Sequence, residues 1–530
     1  MPDKRFNASE YLLDRRVAAG DGDRLAITGV AGDLSYAALL DRVHRTASVL
    51  RDLGLQPEQR LVMFMADCPD FISVYLAAMR IGAVPVPVST MLHGDGLAGL
   101  LRDSRARLLA VTPEFAAAAQ EAIADAPDLR GVLAVSGAVI ARTAGPAVHD
   151  LDDMVAAAPS APAPVYPTTA DSPAFWLYTS GTTGVPKGAM HRHGSIAVVC
   201  ETYGAQVLGI SPGDRCLSAA KAFFAFGLGN SVLFPLSAGA CTVLEPAPST
   251  PETITSRARQ YGATLFFAGP TFFANMLHAE LPADAIAGVR LTASAGEALP
   301  AALYQRWTSH FGTDIIDGLG MTEMLHIFLS NREGAVRPGT TGIAVPGYEL
   351  KIVDDAGAIA PPGTPGTLFV RGESAATGYW SSYRASRLVF QGEWLRTGDT
   401  YVQDADGYYM CLGRTDDMLK AGGIWVSPGE VEDRLLAHPS VNRAVVVAAP
   451  DSDGLEKPVA FVLLGSGMVA TEEELIEFCR AGLPSFKRPR SIIFVDSFPA
   501  TPTGKIRRNE LRQIAAVGFA GPVGTAGAGG

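Results

Sequence analysis

As far as Tyr348, short apolar runs with β character alternate with Ala/Leu-rich helical stretches, and that alternation limits the fold more than any other feature. Leu61–Met65, Phe175–Tyr178, Thr264–Ala268, Arg290–Ser294 and Asp314–Asp317 each read as a strand. Strands spaced this way are joined by helical crossovers, which predicts layers of helices on mostly parallel sheets. The texture changes at Glu349. Glu349–Asp354, Gly366–Arg371 and Tyr408–Leu412 are short β runs bounded by Gly and Pro, which predicts a β-rich subdomain. Beyond Gly413 a smaller α+β pattern follows. Helices are expected at Glu430–His438 and at Thr471–Arg480, the latter opened by a Thr471/Glu474 capping box. Strands are expected at Val441–Ala448, Pro458–Leu464 and Ser491–Asp496. The fold class expected is therefore multidomain α/β. A large N-terminal domain (1–415) would carry α/β layers and the β-rich subdomain, and a small mobile α+β domain would span 416–516. Residues 517–530, rich in Gly and Ala, read as a disordered tail. Ala158–Pro173 reads as a linker.

The bulk numbers set the partner classes. A chain of 530 residues with 48% hydrophobic and 18% charged residues can bury several cores. A net charge of −11 argues against nucleic acid and against an anionic membrane surface. The apolar stretch Val74–Val88 is broken by Arg80, Pro85 and Pro87, so it is not a membrane span. The N-terminus has no apolar signal core, and six scattered cysteines form no C-x-x-C pair, which predicts a cytoplasmic, reduced protein.

The strongest chemical signal is Tyr178-Thr179-Ser180-Gly181-Thr182-Thr183-Gly184-Val185-Pro186-Lys187-Gly188, entered directly from a strand. Glycines let the backbone turn its N–H groups inward, hydroxyls donate to phosphate oxygens, and a lysine adds charge. Lys187 stands three residues after Gly184, which is not the spacing of a Walker A loop. Only eight of the 43 basic residues are lysine, so a lysine inside a Gly-rich motif stands out; Lys187 and Lys505 both do.

This loop resembles the phosphate-binding loop of the adenylate-forming superfamily, which holds acyl- and aryl-CoA ligases, luciferases and adenylation domains. The other motifs of that superfamily occur in order. Ser294-Ala295-Gly296-Glu297 is similar to the segment that lies against adenine. Asp317-Gly318-Leu319-Gly320-Met321-Thr322-Glu323 is similar to the segment that holds adenine and AMP. By resemblance Thr322 meets the α-phosphate and Glu323 helps hold Mg2+. Asp399 matches the ribose ligand, Arg414 a ribose or phosphate contact, and Asp416 the interdomain hinge. Pro502–Arg508 resembles the loop of the catalytic lysine, Lys505. Gly422 and Gly423 match the loop that swings in for thiol transfer. The implied cofactors are ATP, Mg2+ and coenzyme A.

Two further runs carry the acid specificity. Lys221–Asn230 contains Ala225, Phe226 and Gly227, with no acidic residue to meet an ammonium group. Met324–Asn331 contains His326 and Ile327, and Gly320 precedes it. Small residues beside aromatics make a flat apolar slot for one ring. Both runs resemble benzoate–CoA ligases and their hydroxybenzoate and aminobenzoate relatives, with Phe226 where those have tyrosine. The implied activity is adenylation of a small aromatic carboxylic acid and its transfer to coenzyme A. A carrier-protein phosphopantetheine thiol stays open as the alternative acceptor, as does a homodimer. A nucleotide-binding regulatory protein with a dead site is disfavoured by the intact lysine, glutamate and phosphate loop.

Overall fold

The computed structural model describes residues 4–141, 145–180, 186–415, 419–421, 424–450, 456–500 and 506–519. Two sheets dominate the large N-terminal part. One has nine strands, in the order Ile343–Ala344, Ile327–Ser330, Ile315–Gly320, Leu291–Ser294, Leu265–Ala268, Arg215–Ser218, Cys241–Leu244, Leu25–Gly29 and Leu34–Ser35. Its pairs are parallel from Ile315–Gly320 to Leu25–Gly29 and antiparallel at both edges. The other sheet is wholly parallel: Val84–Pro87, Arg60–Phe64, Leu108–Val111, Gly131–Ala134 and Ala147–Asp150. Strands such as Leu108–Val111 and Leu265–Ala268 are buried at every position, as strands covered on both faces must be.

The helix Pro69–Arg80 is buried from Asp70 to Arg80, which fits a helix enclosed between layers. Arg80 ends it inside the protein and is matched there: both terminal nitrogens reach Asp14 at 2.9 Å, and Nε donates to the Ala163 carbonyl at 3.0 Å. The linker Ala158–Pro173 is held against the domain. Tyr166 N–H bonds the Arg80 carbonyl at 2.9 Å, and Phe6 N–H bonds that of Thr168 at 2.9 Å.

The β-rich subdomain is an antiparallel sheet built on the ten-residue strand Trp394–Gln403. Gly366–Arg371, Phe390–Gln391 and Tyr409–Arg414 all pair with it. The sequence predicts two of these neighbours, Gly366–Arg371 and Tyr409–Arg414, but neither Phe390–Gln391 nor this central strand.

The small C-terminal part has a three-stranded sheet, Val441–Pro450, Glu456–Leu464 and Ser491–Phe494. Side chains alternate along Val441–Pro450. Ala444 and Val446 share a core with Val431, Leu435, Leu475 and Cys479 of the helices Pro428–Leu436 and Glu472–Arg480. Val445 and Val447 face the other way, onto Leu511 and Ala515 of the helix Arg508–Phe519. The capping box is present: Thr471 Oγ accepts from Glu474 N–H, and the Glu474 side chain accepts from Thr471 N–H. The last helix was not anticipated and runs three residues past 516, where the tail was expected to begin. The remainder of that tail lies outside the described residues. Among the described residues, no helix is long and apolar enough to cross a membrane.

Candidate active site

The site forms at the carboxyl ends of the parallel strands, where helix N-termini and loops converge in open α/β sheets. The phosphate loop is carried by an antiparallel hairpin, Pro173–Ser180 and Pro186–Arg192. Its register sets Thr179 opposite Lys187 and Ser180 opposite Pro186, so a hydroxyl residue and a cation flank the mouth. Gly181, Thr182, Thr183 and Gly184 lie outside the described residues, as do Asp416, Gly422, Gly423 and Lys505.

Thr322 and Glu323 sit on a short turn after the strand Ile315–Gly320. Two elements lock it. His191, on the phosphate hairpin, donates from Nε2 to the Thr322 carbonyl at 2.8 Å and stacks on Phe175 at 4.9 Å. Burial lowers the His191 pKa to about 4, so the ring stays neutral. Tyr379 donates its phenol to the Glu323 carboxylate, and both residues are buried. Burial first, and then the Glu323 charge, push the Tyr379 phenol far above its ordinary range, which keeps it a donor. Lys187 Nζ stands 5.8 Å from the Tyr379 ring, within cation–π range. Lys187, Tyr379 and Glu323 are therefore contiguous. Tyr379 and His191 were not singled out by sequence. Tyr379 lies in Gly378-Tyr379-Trp380, whose aromatic pair was the available signal.

Leu325 follows with φ +66° and ψ −45°, and His326 N–H bonds the Met324 carbonyl at 2.8 Å. That is a γ-turn with positive φ at a buried leucine, a strained form worth on the order of 1–3 kcal/mol. It reverses the chain between Glu323 and His326.

The residues expected to meet the nucleotide are close by. Ser294 and Asp317 are register partners on adjacent parallel strands. Asp317 is buried, and among the described residues its Oδ1 has no hydrogen-bond partner. Burial raises its pKa to about 8. An orphaned buried acceptor beside Ala295 and Gly296 fits a ligand that brings a donor, as an adenine amine does. Gly296 has φ +98° with open space at its Cβ position, which leaves room for a ring against the backbone. Gly318 is required sterically, because a Cβ there would lie 2.8 Å from Ile327 Cγ2. Asp399 and Arg414 face each other across the β-rich sheet and pair at 2.8 Å. Among the described residues no group of three or more His, Cys, Asp or Glu could hold a metal. A lone carboxylate such as Glu323 fits Mg2+, which is commonly held by one or two carboxylates plus substrate phosphates.

The residues expected to line the acid pocket also converge. His326 is buried, with ring centres 5.5 Å from Phe226, 5.3 Å from Tyr203 and 4.5 Å from Phe234. Its Nε2 meets the Phe226 carbonyl at 3.3 Å. A carbonyl can only accept, so Nε2 carries the proton and Nδ1 is an acceptor, without a partner among the described residues. Burial lowers its pKa to about 3. A Cβ on Gly320 would stand 2.8 Å from the His326 carbonyl oxygen, and one on Gly227 would stand 2.0 Å from that of Lys221. Ile327 is buried at the start of the next strand. The helical turn Ala225–Leu228 is anchored behind the pocket. Ala222 N–H bonds both Asp67 oxygens at 3.1 and 3.2 Å, and Lys221 Nζ donates to the carbonyls of Glu245 and Ala247 at 2.6 Å each.

A large part with parallel α/β sheets, joined to a β-rich subdomain and a small α+β part, is the architecture of the adenylate-forming class of enzyme. The chain belongs to the AMP-binding enzyme family: that family's model matches residues 14–380, and the model of the AMP-binding enzyme C-terminal domain matches 430–505. It is 41% identical to a benzoate–CoA ligase of Thauera aromatica, over 96% of each chain. It is also 41% identical to a 4-hydroxybenzoate–CoA/benzoate–CoA ligase of Rhodopseudomonas palustris, over 97% of this chain and 95% of the relative. Among solved structures, the anthranilate CoA ligase AuaEII in complex with anthranoyl-AMP superposes with a TM-score of 0.91 at 36% identity, covering 97% and 98% of the two chains.

Proposed function

We propose that this protein is an AMP-forming aryl-CoA ligase that activates benzoate, or a simple hydroxy- or amino-substituted benzoate, and transfers it to coenzyme A. The observation that carries the reading is the convergence, on one strained turn, of the Thr322–Glu323 phosphate and metal positions with the His326–Phe226 ring slot. The ligase activities of the relatives support it and favour coenzyme A over a carrier protein. Phe226, lacking a hydroxyl, leaves the His326 Nδ1 acceptor as the polar contact for a ring substituent.

In the first half-reaction the acid carboxylate attacks the ATP α-phosphate and pyrophosphate leaves. Thr179, Ser180, Gly181, Thr182, Thr183, Gly184 and Lys187 cradle the phosphates. Thr322 meets the α-phosphate, and Glu323 would hold Mg2+, which would supply positive charge against the phosphates. Ala295, Gly296, Glu297, Asp317 and Gly318 hold adenine, and Asp399 and Arg414 grip ribose. Lys505 supplies the cation that brings two anions together. In the second half-reaction the small domain turns about Asp416, Gly422 and Gly423 line the path of the pantetheine, and the CoA sulfur attacks the acyl carbon as AMP leaves. We place the enzyme in the cytoplasm, in keeping with six cysteines that are all unpaired.

The test is a panel of benzoate, hydroxybenzoates, aminobenzoates, cinnamates and medium-chain fatty acids with MgATP, read as pyrophosphate and thioester. Lys505→Ala should lower adenylation about 10²–10³-fold, the scale of one lost transition-state donor. Thioester formation from supplied aryl-adenylate should survive. Wild-type adenylation rates in that variant would remove Lys505 from the reaction, and absence of aromatic-acid-dependent pyrophosphate release would remove the function.

A further inference from the structure

Among the described residues, the small C-terminal part meets the segment proposed to hold adenine through a charged contact. Arg443 Nη2 reaches Glu297 Oε1 at 3.2 Å, while the other Glu297 oxygen accepts from Thr271 at 2.7 Å. The pair is partly exposed, with side-chain exposures of 28% and 43%.

The face on which Arg443 lies gives this contact its meaning. Arg443, Val445, Val447 and Ala449 alternate along one strand. The last three share a core with Leu511, Ala515, Phe498 and Ile506. The Arg443 guanidinium itself stands 5.6 Å from the centre of the Phe498 ring. Phe498 and Ile506 belong to the base of a small hairpin: Ala500 bridges Ile506, and Arg507 N–H bonds the Pro499 carbonyl at 2.8 Å. The five residues between Ala500 and Ile506 are Thr501, Pro502, Thr503, Gly504 and Lys505. Phe498 and Ile506, which stand on either side of them in sequence, pack on the sheet face that carries Arg443.

We infer that the Arg443–Glu297 pair docks the lysine-bearing face of the small domain on the nucleotide segment, and that Arg443 is a positioning residue for adenylate formation and not for thioester formation. The inference rests on the ligase reading. In the proposed reaction the small domain turns about Asp416 between the two steps, and a pair that spans the two domains would part in that turn, so the second half-reaction would not use it.

The experiment measures the half-reactions separately in Arg443→Met, Arg443→Glu and Arg443→Lys. Acid-dependent ATP–pyrophosphate exchange reads adenylation, and single-turnover thioester formation from supplied aryl-adenylate and CoA reads the second step. A partly exposed pair is worth up to about 1 kcal/mol, so Arg443→Met should slow exchange about two- to five-fold. Arg443→Glu adds like-charge repulsion and should slow it about ten-fold or more, while Arg443→Lys restores most of it. Thioester formation should stay within about two-fold of wild type throughout, which also shows that the variants are folded. Equal losses in both steps, or unchanged exchange in Arg443→Glu, overturn the inference. A wild-type enzyme without exchange overturns the ligase reading instead.

Discussion

Replacing Tyr379 with phenylalanine deletes one oxygen and leaves the ring in place. The ring packs edge-on against Phe390 at 5.4 Å and meets Lys187 Nζ, so packing and the cation–π contact persist. What is lost is the phenol that donates to the buried Glu323 carboxylate. A hydrogen bond to a charged group contributes about 1.5–3 kcal/mol, and deleting the donor leaves a buried anion short of a partner. If Glu323 must be held in one orientation to bind Mg2+, that energy is lost from the adenylation step. At about 1.4 kcal/mol per decade, Tyr379→Phe should slow acid-dependent pyrophosphate exchange roughly 10- to 100-fold. The assay is exchange measured across a Mg2+ titration, with thermal unfolding as control. The variant should need more Mg2+ to reach half its maximal rate, and thioester formation from supplied adenylate should change less. Wild-type exchange at limiting Mg2+ would refute the argument, because the phenol would then do nothing for the carboxylate.

Gly229→Ala tests the ring slot. A Cβ there would lie 2.3 Å from His326 Cδ2 and 2.5 Å from its Nε2, so the imidazole must move off the Phe226 carbonyl. Overpacking of this kind costs about 1–3 kcal/mol. The KM for the aromatic acid should rise about ten-fold with little change in that for ATP, and equal effects on both would place His326 outside the slot. Asp67→Asn tests the anchor behind Ala225–Leu228. Burial outweighs the nearby Lys221 charge and raises the Asp67 pKa to about 6 from an ordinary 3.8. A raised carboxyl favours folding below pH 3.8 and loses that contribution as pH climbs through 6, worth about 3 kcal/mol at neutral pH. The difference in unfolding free energy between variant and wild type should therefore shift in the variant's favour from pH 4 to 7, as read by denaturant titration; a flat difference would mean that Asp67 keeps an ordinary pKa.

The parts of the fold that were legible share a physical cause. Buried parallel strands such as Leu265–Ala268 and Leu291–Ser294 are continuous apolar runs between turn residues, and period and composition suffice to find them. Trp394–Gln403 was missed because Arg396-Thr397-Gly398-Asp399 reads as a turn, and Gly398 does hold φ +78° inside the strand. Arg508–Phe519 was missed because, among its described side chains, the buried stripe is only Leu511 and Ala515. The candidate site motifs stand out in the sequence because phosphate chemistry calls for glycine, hydroxyl and cation in one short run. Their supports do not: Tyr379 stands 56 positions from Glu323 and His191 stands 131 from Thr322, and no local pattern encodes a partner at that distance.

Nor does any local pattern encode the turn at Leu325, since leucine carries no signal for positive φ. Yet this turn ties the two halves of the site together. Thr322 is gripped through its carbonyl by the phosphate hairpin, and Glu323 by Tyr379. His326, one residue beyond the reversal, is gripped by the carbonyl of Phe226. A segment fixed at both ends has few ways to relax, so the strain at Leu325 is held by the contacts on either side of it. A ring that displaces His326 must pull on the same short chain that aims Thr322 and Glu323. On the proposed assignment of Thr322, Glu323 and His326, acid binding and metal–nucleotide binding should therefore share free energy, because the backbone between these residues is only a few residues long and already distorted.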